Sequence, residues 1–146
     1  MTRRNAAAKT EKPPNRERPR LGLEGVFEKV IPRDWTIAAI DPRLPAVLST
    51  PAMIGMMEIA AAQAVQPELP PGAITVGTRI EVDHLKAAPE GAAVIAHARL
   101  VEHRGRFLVF EAEARSNHRV LGRGRVYRTI VEPRNFFENA GRQEGS

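Results

Sequence analysis

Residues 49–65, STPAMIGMMEIAAAQAV, decide how this chain is read. Thr50 followed by Pro51 reads as a helix start: a hydroxyl able to cap free N–H groups, then the ring that suits the first helical position. From Pro51 to Val65 nearly every residue is Ala, Met, Ile or Gly, so the predicted helix is apolar almost all round. Helices of that kind are buried, here against a sheet. One acid, Glu58, interrupts the run. A carboxylate in such surroundings is costly unless it is paired, hydrogen-bonded or protonated. Thr50 and Glu58 lie eight residues apart, a little over two helical turns, so both are expected near one face.

The surroundings of that helix point to strands. Leu21–Ile31 partly alternates and is expected to be a strand ending at Pro32. The stretch to Leu48, punctuated by Pro32, Pro42 and Pro45, reads as a loop with one short helical turn. After the helix, QPELPPG (residues 66–72) is a stop signal. Four strand-like runs follow: Ala73–Lys86, Ala92–Glu102, Phe107–Arg115 and Val120–Val131, joined by short polar turns. In the first of them strict alternation places Ile74, Val76, Thr78, Ile80, Val82 and His84 on one side, with Arg79, Glu81 and Asp83 on the other. The predicted architecture is α+β: an antiparallel sheet of about five strands wrapped around one long apolar helix, the hotdog fold. One helix leaves part of such a sheet uncovered and its edges unpaired, so a homodimer or higher homo-oligomer is expected.

At 146 residues and 42% hydrophobic content, the chain suits a single folded domain. The absence of cysteine excludes disulfides, thiol catalysis and Cys-ligated metals. No apolar run approaches the roughly 18 residues of a membrane span, and the N-terminus lacks the apolar core of a secretory signal. A cytoplasmic protein without membrane association is the expectation. The net charge of +5 resides wholly in residues 1–20, which hold seven basic and two acidic side chains; the rest carries 15 of each. Residues 1–20 are therefore read as a disordered basic tail, residues 21–137 as the domain and residues 138–146 as a flexible C-terminal tail. A balanced domain offers no footprint for nucleic acid, so no nucleic-acid partner is expected.

Each candidate side chain has a plain role to set beside a chemical one. Thr50 serves as an N-cap, and the same helix start can stabilise an anion. Glu58 either reaches solvent or a structural Arg, or acts as a base or nucleophile. His84 ends the apolar face of its strand, where it packs or moves protons. Arg128 shares a face with Val126 and Ile130, placing a guanidinium beside a buried acid or a substrate carbonyl. Gly55 and Gly77 permit close helix–strand approach, and Gly77 can also offer its N–H to a substrate. Gly122 and Gly124 lack the strand–turn–helix setting of a nucleotide site. His97, His103 and His118 fall at surface or turn positions, and no metal site is expected.

The segments VLSTPAMIGMMEIA, AITVGTRIEVDHLKAAPEG and GRGRVYRTIVEPRNF together resemble the fluoroacetyl-CoA thioesterase-like family of hotdog proteins. The likeness runs from about Leu21 to Phe137. It implies that Thr50, Glu58 and His84 form the catalytic set, with Gly77 and Arg128 as substrate-binding positions. The implied reaction is hydrolysis of a small acyl-CoA thioester to free acid and CoA, with the thioester as substrate and no cofactor. The site is implied to lie at a dimer interface. One departure concerns the loop DPRLPAVLST: the fluoroacetyl-specific member has phenylalanines there, whereas this chain has Leu44 as its candidate substrate contact. Two other functions fit the fold: binding of an acyl thioester or small acid without hydrolysis, as a sensor or resistance protein, and hydratase or dehydratase chemistry.

Overall fold

The computed structural model describes residues 18–145. Five strands and one long helix account for most of them: β1 (Glu24–Val30), α1 (Thr50–Val65), β2 (Ile74–His84), β3 (Ala93–Arg104), β4 (Phe107–Ser116) and β5 (Arg119–Val131). The strands form a single antiparallel sheet in the order β1-β3-β4-β5-β2, so β1 and β2 are its edges. The sheet wraps around α1 in the hotdog arrangement. Gly105, with φ +59°, turns the β3–β4 hairpin, and Asn117–His118, both at positive φ, turn the β4–β5 hairpin as two-residue loops require.

The core is the space between α1 and the inner face of the sheet. Met53, Met56, Met57, Ala60 and Ala61 are wholly buried, packed in one cluster with Leu100, Leu108, Phe110 and Val126 from the central strands. Alternation within β4 follows directly: Leu108, Phe110, Ala112 and Ala114 point in, Glu111 and Arg115 out. At the β1 side the helix comes unusually near. A methyl on Gly25 would overlap the Ala60 carbonyl oxygen and stand 2.8 Å from Ala64 N, so only glycine fits there. The outer face carries the charges in cross-strand register. Glu24, Arg99, Glu111, Arg125 and Glu81 form one row of alternating sign across all five strands. Opposite charges facing each other in this way favour the pairing modestly.

Three sequence expectations need correction. First, α1 is not buried all round. Its second face, with Pro51, Gly55, Ile59 and Gln63, lies open, and Ile59 is 38% exposed. Gly55 meets nothing within 4 Å, so it does not mediate a close approach. Second, the alternation of β2 is broken. Gly77 pairs with Arg128 but Arg79 pairs with Tyr127, which leaves Thr78 as an extra, bulged residue. Thr75 and Gly77 consequently face the helix, while Ile74 and Val76 do not; inward alternation resumes at Ile80, Val82 and His84. Third, the pre-helix loop contains two 3₁₀ turns, Arg33–Trp35 and Ile37–Ala39, rather than one. Residues 138–145 of the C-terminal tail lie in a helix, α2 (Pro133–Gly145); Pro133 stands at its start, where a missing N–H costs nothing.

Residues 1–17 of the expected basic tail lie outside the described residues. Arg20 is tied down: its Nε and Nη2 donate to Glu68 Oε2 at 2.9 and 2.6 Å, and its backbone N–H to Oε1 at 3.1 Å.

Candidate active site

The start of α1 forms the first half of the site. Ser49, not Thr50, is the N-cap: its Oγ accepts from Ala52 N at 3.2 Å, with Thr50 and Pro51 already helical. Two adjacent hydroxyls made the boundary ambiguous by one residue, and the consequence is chemical. Relieved of capping, the Thr50 hydroxyl lies 2.7 Å from His84 Nδ1. The other ring nitrogen, Nε2, is 3.1 Å from the Lys86 carbonyl oxygen, which can only accept. Nε2 therefore carries the proton, and Nδ1 accepts from the Thr50 hydroxyl. A hydroxyl, an imidazole and an acceptor behind it form a proton relay of the kind that activates oxygen groups or returns protons to leaving groups. Ala52 and Met53 direct their N–H groups to Ser49, and Pro51 has none. The Thr50 N–H remains at the positive end of the helix dipole, where developing negative charge is favoured.

Glu58 anchors the second half. Its Oε1 lies 3.6 Å from Arg128 Nη1, and its side chain is 34% exposed. The arginine is buried and held by Thr75: Nε donates to Thr75 Oγ1 at 2.8 Å and Nη2 to the Thr75 carbonyl at 2.9 Å. Burial holds the Arg128 guanidinium below its ordinary value, while the charge of Glu58 pulls in the opposite direction. Gly77 leaves the gap these groups occupy. A methyl there would overlap Glu58 Oε1 and stand 3.4 Å from Arg128 Nη1. The glycine thus accommodates a carboxylate rather than the helix backbone.

The two halves share one helix face and one sheet face, separated by the eight residues between Thr50 and Glu58, about 12 Å of helical rise. The bulge at Thr78 makes this possible. Without it, the phase that turns His84 inward would turn Thr75 and Gly77 outward. A groove of about 690 Å³ between β1, β3 and the β4–β5 turn contains none of these residues. Among the described residues, no group of three His, Asp or Glu side chains converges as metal ligands would.

A family model described as fluoroacetyl-CoA-specific thioesterase (FlK) matches residues 31–134, most of the chain. The chain belongs to the FlK family. It is 31% identical over 123 residues to fluoroacetyl-CoA thioesterase of Streptantibioticus cattleyicolor, covering 80% of this chain and 88% of that one. A solved FlK structure, a threonine-to-serine variant in complex with acetyl-CoA, matches with a TM-score of 0.80 at 28% identity, over 85% of this chain and 98% of the other. A thioesterase superfamily member from Thermus thermophilus matches with a TM-score of 0.77 at 28% identity, covering 88% and 99% respectively.

Within this FlK-family chain, Thr50 and His84 meet, as do Glu58, Gly77 and Arg128; no hydrogen bond joins the two groups. Leu44 is 42% exposed in the loop before α1, its N–H bonded to Asp41 O, and it touches neither group through a polar contact. Thr75 was missed from sequence. Simple alternation hides it on the outer face, and only the bulge brings it in.

Proposed function

We propose that this protein is an acyl-CoA thioesterase that hydrolyses a small acyl-CoA to the free acid and CoA. The observation that carries the reading is the pairing of the Thr50 hydroxyl with His84 Nδ1 at a helix start, in a chain of this family, with Glu58 held beside Arg128 on the same helix. Glu58 acts on the acyl carbon, as nucleophile or through a water molecule. The Thr50 N–H steadies the developing oxyanion. The Thr50–His84 relay takes up, at Nδ1, the proton that the attacking water loses and returns it to the CoA sulfur, which leaves His84 neutral as before. Arg128 and Gly77 form the wall against which the acyl group lies, and Leu44 caps it with an aliphatic side chain. Without phenylalanine in that loop, acceptance extends beyond fluoroacetyl-CoA.

The working unit is a homodimer. Strand β2 offers an unpaired outer edge of 11 residues, and the neighbouring open face of α1 exposes Ile59. Long open edges and apolar helix faces are resolved when a second copy covers them. The enzyme works in the cytoplasm, where CoA thioesters are made and consumed. No helix among the described residues is long and apolar enough to cross a membrane. Hydratase chemistry has less support, because Asp83, next to His84, is exposed on the opposite side of β2.

The test is thiol release by the purified protein across acetyl-, fluoroacetyl-, branched and aromatic CoA esters, with molar mass measured by light scattering. Turnover of at least one small ester by a dimer is expected. Tight CoA-ester binding with no thiol released would replace this reading with the binding-protein one.

A further inference from the structure

We infer that Thr75 is a positioning residue for Glu58, acting through Arg128; the inference rests on the thioesterase reading of Glu58. Arg128 has one long edge of its guanidinium fully engaged, with Nε on the Thr75 hydroxyl at 2.8 Å and Nη2 on the Thr75 carbonyl at 2.9 Å. Two bonds from one edge to one residue fix both the plane and the rotation of the group. Both partners are buried, so no solvent replaces the hydroxyl if it is removed.

What the clamp leaves over is Nη1 and one N–H of Nη2, and Nη1 is the atom that faces Glu58 Oε1 at 3.6 Å. That gap is longer than the roughly 2.7–2.9 Å of a charge-assisted hydrogen bond. The arginine therefore holds the carboxylate by charge without occupying its lone pairs, which stay available for the acyl carbon or a water. A freely rotating guanidinium would close onto Glu58 with two N–H groups and take those lone pairs. Thr75 prevents this, and the Thr78 bulge is what turns Thr75 inward. A residue whose hydroxyl only filled the core would not need to meet Nε while its own carbonyl meets Nη2.

The experiment is a double-mutant cycle on turnover of acetyl-CoA, or of whichever small ester the panel favours, with melting temperatures followed in parallel. Thr75→Val keeps the shape and removes the acceptor; kcat is expected to fall roughly 10- to 100-fold, as small misplacements of a reacting group do, with KM changed much less. Thr75→Ser retains the hydroxyl and is expected to restore kcat to within about threefold of wild type. In a Glu58→Gln background, Thr75→Val should cost almost nothing further. Should Thr75→Val fail to fold, Thr75→Ala is read the same way. Wild-type kcat in Thr75→Val beside a crippled Glu58→Gln would overturn the role of Thr75 alone. An equal loss in both backgrounds would make its role structural and also overturn the inference. Full turnover by Glu58→Gln by itself would overturn the reading of Glu58 and this inference together.

Discussion

Gly77→Ala should separate activity from stability. The added methyl would overlap Glu58 Oε1 and stand 3.3 Å from its Cδ. Restoring ordinary contact requires the carboxylate to retreat by about 1 Å, since carbon and oxygen cannot approach much within their contact distance. Glu58 is one-third exposed and ends in a flexible chain, so it has room to move. The packing cost is then at most about 1 kcal/mol. Against it stands a gain of roughly 0.4–1 kcal/mol from a stiffer unfolded chain. Gly77 is not among the glycines at positive φ, so the backbone accepts alanine. Net stability should change little, and the melting temperature by only a few degrees. Activity should not be spared. A displacement of about 1 Å in a reacting group costs on the order of 100-fold in rate, or about 2.7 kcal/mol of barrier. Thiol release from a saturating small acyl-CoA, measured beside a circular-dichroism melt, reads both quantities. A folded Gly77→Ala enzyme with turnover within threefold of wild type would refute the placement of Glu58 in the chemistry.

Gly25→Ala supplies the contrasting case. Its methyl meets the backbone of Ala60 and Ala64, which cannot swing aside, so stability should fall by about 2 kcal/mol or more in a urea titration while kcat of the folded fraction is retained. Thr50→Ala and His84→Asn each break the relay at the start of α1. Both should slow turnover by about 10²- to 10⁴-fold, and the double variant should be no worse than either, as steady-state kinetics would show. The Arg20–Glu68 pair predicts a pH dependence. The hydrogen bond from Arg20 holds the Glu68 carboxyl below its usual range, so the stability it contributes is present above that range and lost as pH falls through the depressed value. Arg20→Ala should therefore lower the urea midpoint slightly at pH 7, and the difference from wild type should vanish on strong acidification.

Much of this molecule was legible in the chain because its elements obey simple periods. The Met- and Ala-rich run gave α1, the alternation in β3 to β5 gave the sheet, and Arg128 was correctly read as sharing a face with Val126 and Ile130. What stayed hidden has local physical causes. A bulge is one extra residue with no compositional mark, so the inward phase of Ile80–His84 was carried back wrongly to Ile74 and Val76, and Thr75 went unseen. Ser49 and Thr50 are both good caps, and only the His84 contact shows which one is spared. An apolar helix face reads the same whether or not the sheet covers it, which is why the open side at Pro51, Gly55 and Ile59 was expected to be buried. Gly25 carried a readable signal, since a glycine inside a strand marks close backbone approach.

Whether a carboxylate on α1 does chemistry on a CoA thioester is tested most directly by thiol release from wild type and from Glu58→Gln under identical conditions, each verified as folded. Wild type should liberate CoA and free acid from a small acyl-CoA, and the glutamine variant, with the same shape and no charge, should be slower by about 10²- to 10⁴-fold. A folded Glu58→Gln protein that turns over as fast as wild type would contradict the account.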